Sequence, residues 1–147
     1  MAALSDYLEN KLLDALLRGQ AFTMPATVYV ALDTTVDNDG DSSKVEVSGG
    51  SYARVAVASS LANWAGTQAA ASTVASSGTS ATTSNNGVIT FPTPTANWGS
   101  ITGFAVYDAP TGGNLLFYAA LTTPKTVNNG DPAPSFAAGT LSLQLDT

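Results

Sequence analysis

The chain has 147 residues, of which only 11% are charged and 44% are apolar, and one domain of this size buries roughly 70% of the surface its unfolded form exposes. Eleven acids against five bases give a net charge of −6, which repels a phosphate backbone, so no nucleic-acid partner is expected. With neither cysteine nor histidine there is no disulfide framework and no thiolate chemistry, and the commonest metal ligand and general base is missing, which excludes a Ser-His-Asp hydrolase.

Ser, Thr, Gly and Ala fill much of the remainder, and the scarcity of Glu and Lys predicts that helix is a minor component. The one helix predicted lies within residues 1–19. Leu4, Leu8, Leu12 and Leu16 recur every four residues there, with Leu13 and Leu17 beside them and Asp6, Glu9, Asn10, Lys11 and Asp14 around the remainder of the wheel. Ser5 is the expected N-cap and Arg18-Gly19 the expected stop. A helix of about 13 residues is marginal alone. Its leucine face must therefore pack on its own domain or dock on a neighbouring subunit, which makes Leu8, Leu12 and Leu16 candidate interface residues.

From Pro25 the apolar period changes to two, and residues 25–147 read as a single β domain. Strands are predicted at 27–33 (TVYVALD), at 45–47 and at 52–58 (YARVAVA). Arg54 stands out in the third of these. It either pairs with a nearby acid such as Glu46 or crosses a subunit boundary. Residues 65–84 hold little but Ala, Ser, Thr and Gly, and predict a flexible loop, an extended arm, or an edge strand ordered by a partner. Trp64 and Trp98 each follow Ala-Asn beside such loops, as candidate interface anchors or a sugar-binding surface.

Further strands are predicted at 88–91, 101–108, 115–121, 125–127 and 140–145, with a turn at 109–114 making a hairpin of the second and third. About eight strands broken by Gly, Pro and Asn give a mainly β chain. The expected architecture is an antiparallel β-sandwich, jelly-roll-like, with one short N-terminal α-helix.

Asp37, Asp39 and Asp41 alternate like the start of a calcium loop, but Gly40 is fourth and Ser48 twelfth where such a loop needs Gly sixth and Glu twelfth. They read as a solvated acidic turn. A glycosidase requires one carboxyl in an apolar pocket at a fixed distance from another. Glu46, Asp108, Asp131 and Asp146 are the candidates weighed, and Asp108 and Asp131 suit turns better. No catalytic residue, metal or cofactor is therefore expected, and the chain is not expected to be an enzyme. No apolar run approaches the roughly 20 residues of a membrane span, so no membrane partner is expected.

The segments YLENKLLD (7–14), PATVYVAL (25–32) and VSGGSYARV (47–55), continued by ITFP (89–92), WG (98–99), GGNLL (112–116) and KTV (125–127), carry a likeness across nearly the whole chain except the 65–84 tract. This pattern resembles a widespread family of small tailed-bacteriophage virion proteins, usually labelled tail fibre proteins. The resemblance implies a virion component assembled in the host bacterial cytoplasm. Its implied partners are other virion proteins, either the major capsid protein or tail proteins, and self-association is expected. A fibre that contacts a host usually needs a long shaft, whereas small β-sandwich proteins in phages often act as capsid cement. The first reading is accordingly a capsid cement or decoration protein bridging major capsid subunits. The alternative is a tail-fibre or tail-appendage subunit, adapting a fibre or binding a host glycan through Trp64 and Trp98.

Overall fold

The structure is a computed structural model describing residues 3–36 and 43–145. The acidic residues Asp37, Asp39, Asp41 and Asp146 lie outside the described residues. At the N-terminus, strand β1 (Ala3–Leu4) precedes helix α1 (Asp6–Leu17), with Ser5 between them as the N-cap. The Ser5 hydroxyl accepts the Leu8 N–H at 3.1 Å and donates to the Leu115 carbonyl, while the Ser5 N–H donates to the Leu116 carbonyl at 3.0 Å. One buried serine thus starts the helix and ties it to the sheet. Gly19, at φ +66, takes the left-handed conformation that ends it.

The β-branched stretch after Pro25 forms β2 (Thr27–Thr35), the centre of a six-stranded antiparallel sheet. On one side β2 pairs with β3 (Val45–Glu46) and β4 (Val55–Ala58), and on the other with β7 (Gly99–Tyr107). Strand β7 then pairs with β8 (Leu115–Val127), whose far edge takes β1. The hairpin expected around 109–114 is this β7–β8 pair. The two strands predicted at 115–121 and 125–127 are one. Ala120 opposes Gly103 while Lys125 opposes Ile101, so residues 121–124 bulge out of register. Pro124 lies in that bulge, where its missing N–H costs no ladder bond. Gly103 sits in mid-strand because a Cβ there would lie 1.9 Å from Val36 Cγ2 and 2.7 Å from the Ala119 carbonyl oxygen.

A second layer covers one face of this sheet. Strand β5 (Thr82–Ser84) pairs with β10 (Ser142–Gln144), and β6 (Ile89–Thr90) with β9 (Ser135–Phe136), both antiparallel. The four short strands form one ribbon, in which residues 82–90 run against 135–144. The ladder is interrupted at Asn85, which is 1% exposed. There the side chain adds to the backbone pairing: the Asn85 amide donates to the carbonyls of Gly87 and Ala137, and its oxygen accepts the Leu141 N–H. Ile89, Phe91, Leu141 and Leu143 of the ribbon pack on Val30, Leu32, Phe104, Val106 and Ala119 of the sheet to make the main core. The protein is therefore a β-sandwich with one N-terminal helix, built from ten strands among the described residues and unevenly layered, six strands against a ribbon of four short ones.

The tract at 65–84 runs as a loop into β5, its last three residues. Gln68 is its hub, donating to the Ser72 hydroxyl and the Ala75 carbonyl and accepting the Ser77 N–H. The Ser80 hydroxyl donates to the Thr67 carbonyl at 2.9 Å. Short polar side chains hydrogen-bonding nearby groups give this stretch a fold of its own without large apolar residues.

Candidate functional site

The N-terminal helix carries the densest group of exposed large apolar residues. Leu8 is buried and Leu12 half-buried against the sheet, yet Leu16 and Leu17 are each 79% exposed and Leu13 is 55% exposed. At about 100° per residue, Leu8 and Leu12 share one side of the wheel, and Leu16, Leu13 and Leu17 continue the arc beyond what the sheet covers. Asp6 and Glu9, both exposed, fall within that second arc, whereas Lys11 and Arg18 fall on the opposite side. Beside the helix opens a cleft of ≈ 360 Å³, lined by Leu8, Leu12, Phe22, Met24, Leu116 and Phe117 among others. Of the three helix residues expected at an interface, then, Leu8 serves the intrachain core, Leu12 borders the cleft, and Leu16 faces solvent. Phe22 and Met24 escaped the sequence reading because they lie between elements, although two large apolar residues in a short connection are a legible signal.

Arg54 takes the first of its two expected roles. Its side chain is 7% exposed and grips Glu46 with both sides of the fork, Nε to Oε1 at 2.8 Å and Nη2 to Oε2 at 2.7 Å. Nη1 donates to the carbonyls of Ala109 at 2.9 Å and Gly112 at 2.8 Å, and the guanidinium lies 3.4 Å from the centre of the Tyr107 ring. These contacts tie β3, β4 and the β7–β8 hairpin tip together and leave Arg54 no free donor face for a neighbouring subunit, which corrects its reading as an interface residue. Burial pushes the Glu46 carboxyl up, but the Arg54 hydrogen bonds and charge, the Tyr52 hydroxyl and Lys44 together hold it below the usual carboxylate range.

Asp33 lies on β2 opposite Glu46, fully buried, and neither of its carboxylate oxygens has a hydrogen-bond partner among the described residues. Burial raises its pKa from 3.8 to about 6, and Glu46 adds to the rise against the opposing pull of Lys44 and Arg54. The sequence reading passed over it, since an acid at the end of TVYVALD looks like a strand terminus. The strand in fact continues to Thr35.

Trp98 is a correction. It is 5% exposed, meets Tyr52 edge-on at 5.4 Å, and its indole N–H donates to the Gly50 carbonyl at 2.9 Å. Gly50 is held at φ +55, and a Cβ there would lie 2.9 Å from the Trp98 nitrogen. The indole is a core group, unable to anchor a partner or stack on a sugar. Trp64 is half-buried, packed against the core beside Val28, Thr83, Phe117 and Leu143.

Among the described residues, no group of three or more His, Cys, Asp or Glu side chains is placed to hold a metal ion. No helix among them is long and apolar enough to cross a membrane.

The fold is a β-sandwich with open apolar area on its N-terminal helix. A family described as podophage GP4 fiber I protein gp80 matches residues 3–144, and the chain belongs to this family of phage fibre-type virion proteins. No curated protein matches it. Membership favours the tail-fibre reading of the sequence over the capsid cement reading.

Proposed function

We propose that the chain is a non-enzymatic subunit of a phage tail-fibre assembly, joined to a neighbouring virion protein by the open leucine face of its N-terminal helix. The observation that carries this is the 79% exposure of Leu16 and Leu17 beside an apolar cleft. Leucines left in water at that density are an unfavourable surface that association removes, at roughly 25 cal/mol for each Å² covered. Asp6 and Glu9 sit among these leucines while both helix cations lie behind, so the surface suits a partner segment with apolar residues flanked by Lys or Arg.

The non-enzymatic part of the reading is supported by what the carboxylates already do. Glu46 is held by Arg54, Asp108 accepts from the Asn114 backbone and side chain at 2.7 Å, and Asp131 accepts the Asn128 N–H at 2.7 Å. Each is committed to holding a turn or a strand. Incorporation into particles tests the reading. The double variant Leu16→Asp, Leu17→Asp should keep the melting temperature of the parent chain, because neither residue contributes to the core, and should be lost from purified virions. Normal incorporation of that variant would refute the assignment of this face. Copy number distinguishes the fibre from the cement reading: a fibre subunit follows the low symmetry of the tail, a cement protein the many joints of the shell.

A further inference from the structure

A second surface is encoded in the register of the ribbon. The Leu145 N–H donates to the Ala81 carbonyl and the Asn85 N–H to the Leu141 carbonyl, so residues 141, 143 and 145 direct their backbone groups toward the 81–85 strand. Alternation in an antiparallel ladder then turns the N–H and C=O groups of Ser142 and Gln144 outward. The Phe91 N–H bond to the Pro134 carbonyl turns those of Ser135 outward in the same way. Among the described residues no strand pairs with this edge.

This edge and the exposed stretch of β8 differ in their defences. Along β8 the exposed stretch beyond β1 carries Pro124, Lys125 and a bulge, the devices that keep an edge from recruiting another strand. Residues 140–145 carry neither a charge nor a proline, and Leu141 and Leu143 are anchored in the core. In front of this edge lies a groove of ≈ 230 Å³ lined by Phe104, Ala119, Leu121 and Thr122 of the sheet and by Ser142 and Gln144 of the edge. Leu121 and Phe136 also line a smaller cavity of ≈ 60 Å³ that reaches Lys125. The groove thus sets outward backbone donors and acceptors beside the side chains of Phe104, Ala119 and Leu121.

We propose that this edge accepts an extended strand from another virion protein, which becomes the third strand of the ribbon. This rests on the fibre reading only in that the donor is sought within the particle. A strand entering here pairs its backbone with Ser142 and Gln144 and turns alternate apolar side chains onto Phe104, Ala119 and Leu121. Lys125 is the one charged side chain lining either cavity, so the donor segment carries an acid at that end and uncharged residues elsewhere. A second copy is a poor donor through the same edge. Strand β8 lines the groove beyond the ribbon, and two copies meeting edge to edge would bring both β8 strands into one space.

Hydrogen exchange at single-residue resolution, on the free chain and on purified virions, tests this directly. The amides of Ser142 and Gln144 should exchange rapidly in the free chain and at least about tenfold more slowly in the particle. The variant Ser142→Pro removes an outward donor while leaving the inward bonds of 141, 143 and 145 in place, so it should melt with the parent and show no protection at Gln144 in the particle. Gln144→Pro is the companion variant if the first does not fold. Equal exchange in both states, or protection that survives Ser142→Pro, overturns the proposal. Protection appearing in the concentrated free chain alone overturns it in favour of self-pairing. Absence of the parent chain from virions would sink the fibre reading as well, which separates the two failures.

Discussion

At Arg54 four hydrogen bonds and an aromatic ring absorb a single guanidinium within the chain, whereas on α1 Leu13, Leu16 and Leu17 stand largely exposed. Both are departures from an ordinary surface, one a nearly buried charge and the other an exposed hydrophobe, and they are resolved differently. Leaving a buried charge unpaired costs several kcal/mol, so its partners must be present in the folded monomer. Exposed leucine costs less and can wait for a second protein. The contrast separates a charge braced within the chain from the open helix face on which the proposed docking rests.

The largest loss of stability is expected at the brace. Arg54→Ala strips Glu46 of its cation and frees the carbonyls of Ala109 and Gly112, and should lower stability by about 3–5 kcal/mol in a denaturant titration. Asp33 gives the next largest effect. Its folded pKa of about 6 lies above the ordinary 3.8, so between those values the folded chain holds more protons than the unfolded one, and stability falls as pH rises from about 4 to about 6 before levelling. At about 1.4 kcal/mol per pKa unit the full span is on the order of 3 kcal/mol. Asp33→Asn should flatten that slope in melts recorded across the range, and a parent chain whose stability rises over the same interval would contradict the assignment. Leucine truncations sharpen the contrast at the other end. Leu8→Ala should cost about 2 kcal/mol or more, while Leu16→Ala should change stability by less than about 0.5 kcal/mol, both read from chemical denaturation of the isolated protein.

Much of the architecture is legible in local signals. The leucine spacing and Ser5 locate α1, TVYVALD locates β2, and the Pro-Thr-Gly-Gly-Asn turn locates the β7–β8 hairpin. Where the reading departs from the structure, the deciding contact is distant in sequence. Segments 115–121 and 125–127 looked separate because Pro124 interrupts them, yet pairing with β7 holds both in one strand. Trp98 looked like a loop anchor because Ala-Asn precedes it, yet Gly50, 48 residues away, accepts its indole proton inside the core. The candidate site was half visible. The leucine face could be named, but which leucines the sheet would cover could not.

Composition alone removed histidine and cysteine chemistry, and the change of apolar period from near four to two separated one helix from a β domain. These are properties of single residues and near neighbours, and they survive any arrangement of the strands. The partition of α1 into a buried and an open arc, the closing of Arg54 onto Glu46, and the outward turn of the Ser142 and Gln144 backbone were decided only by tertiary structure. Each depends on which strand lies across from which, and a register shift of one residue reverses the direction of every group involved.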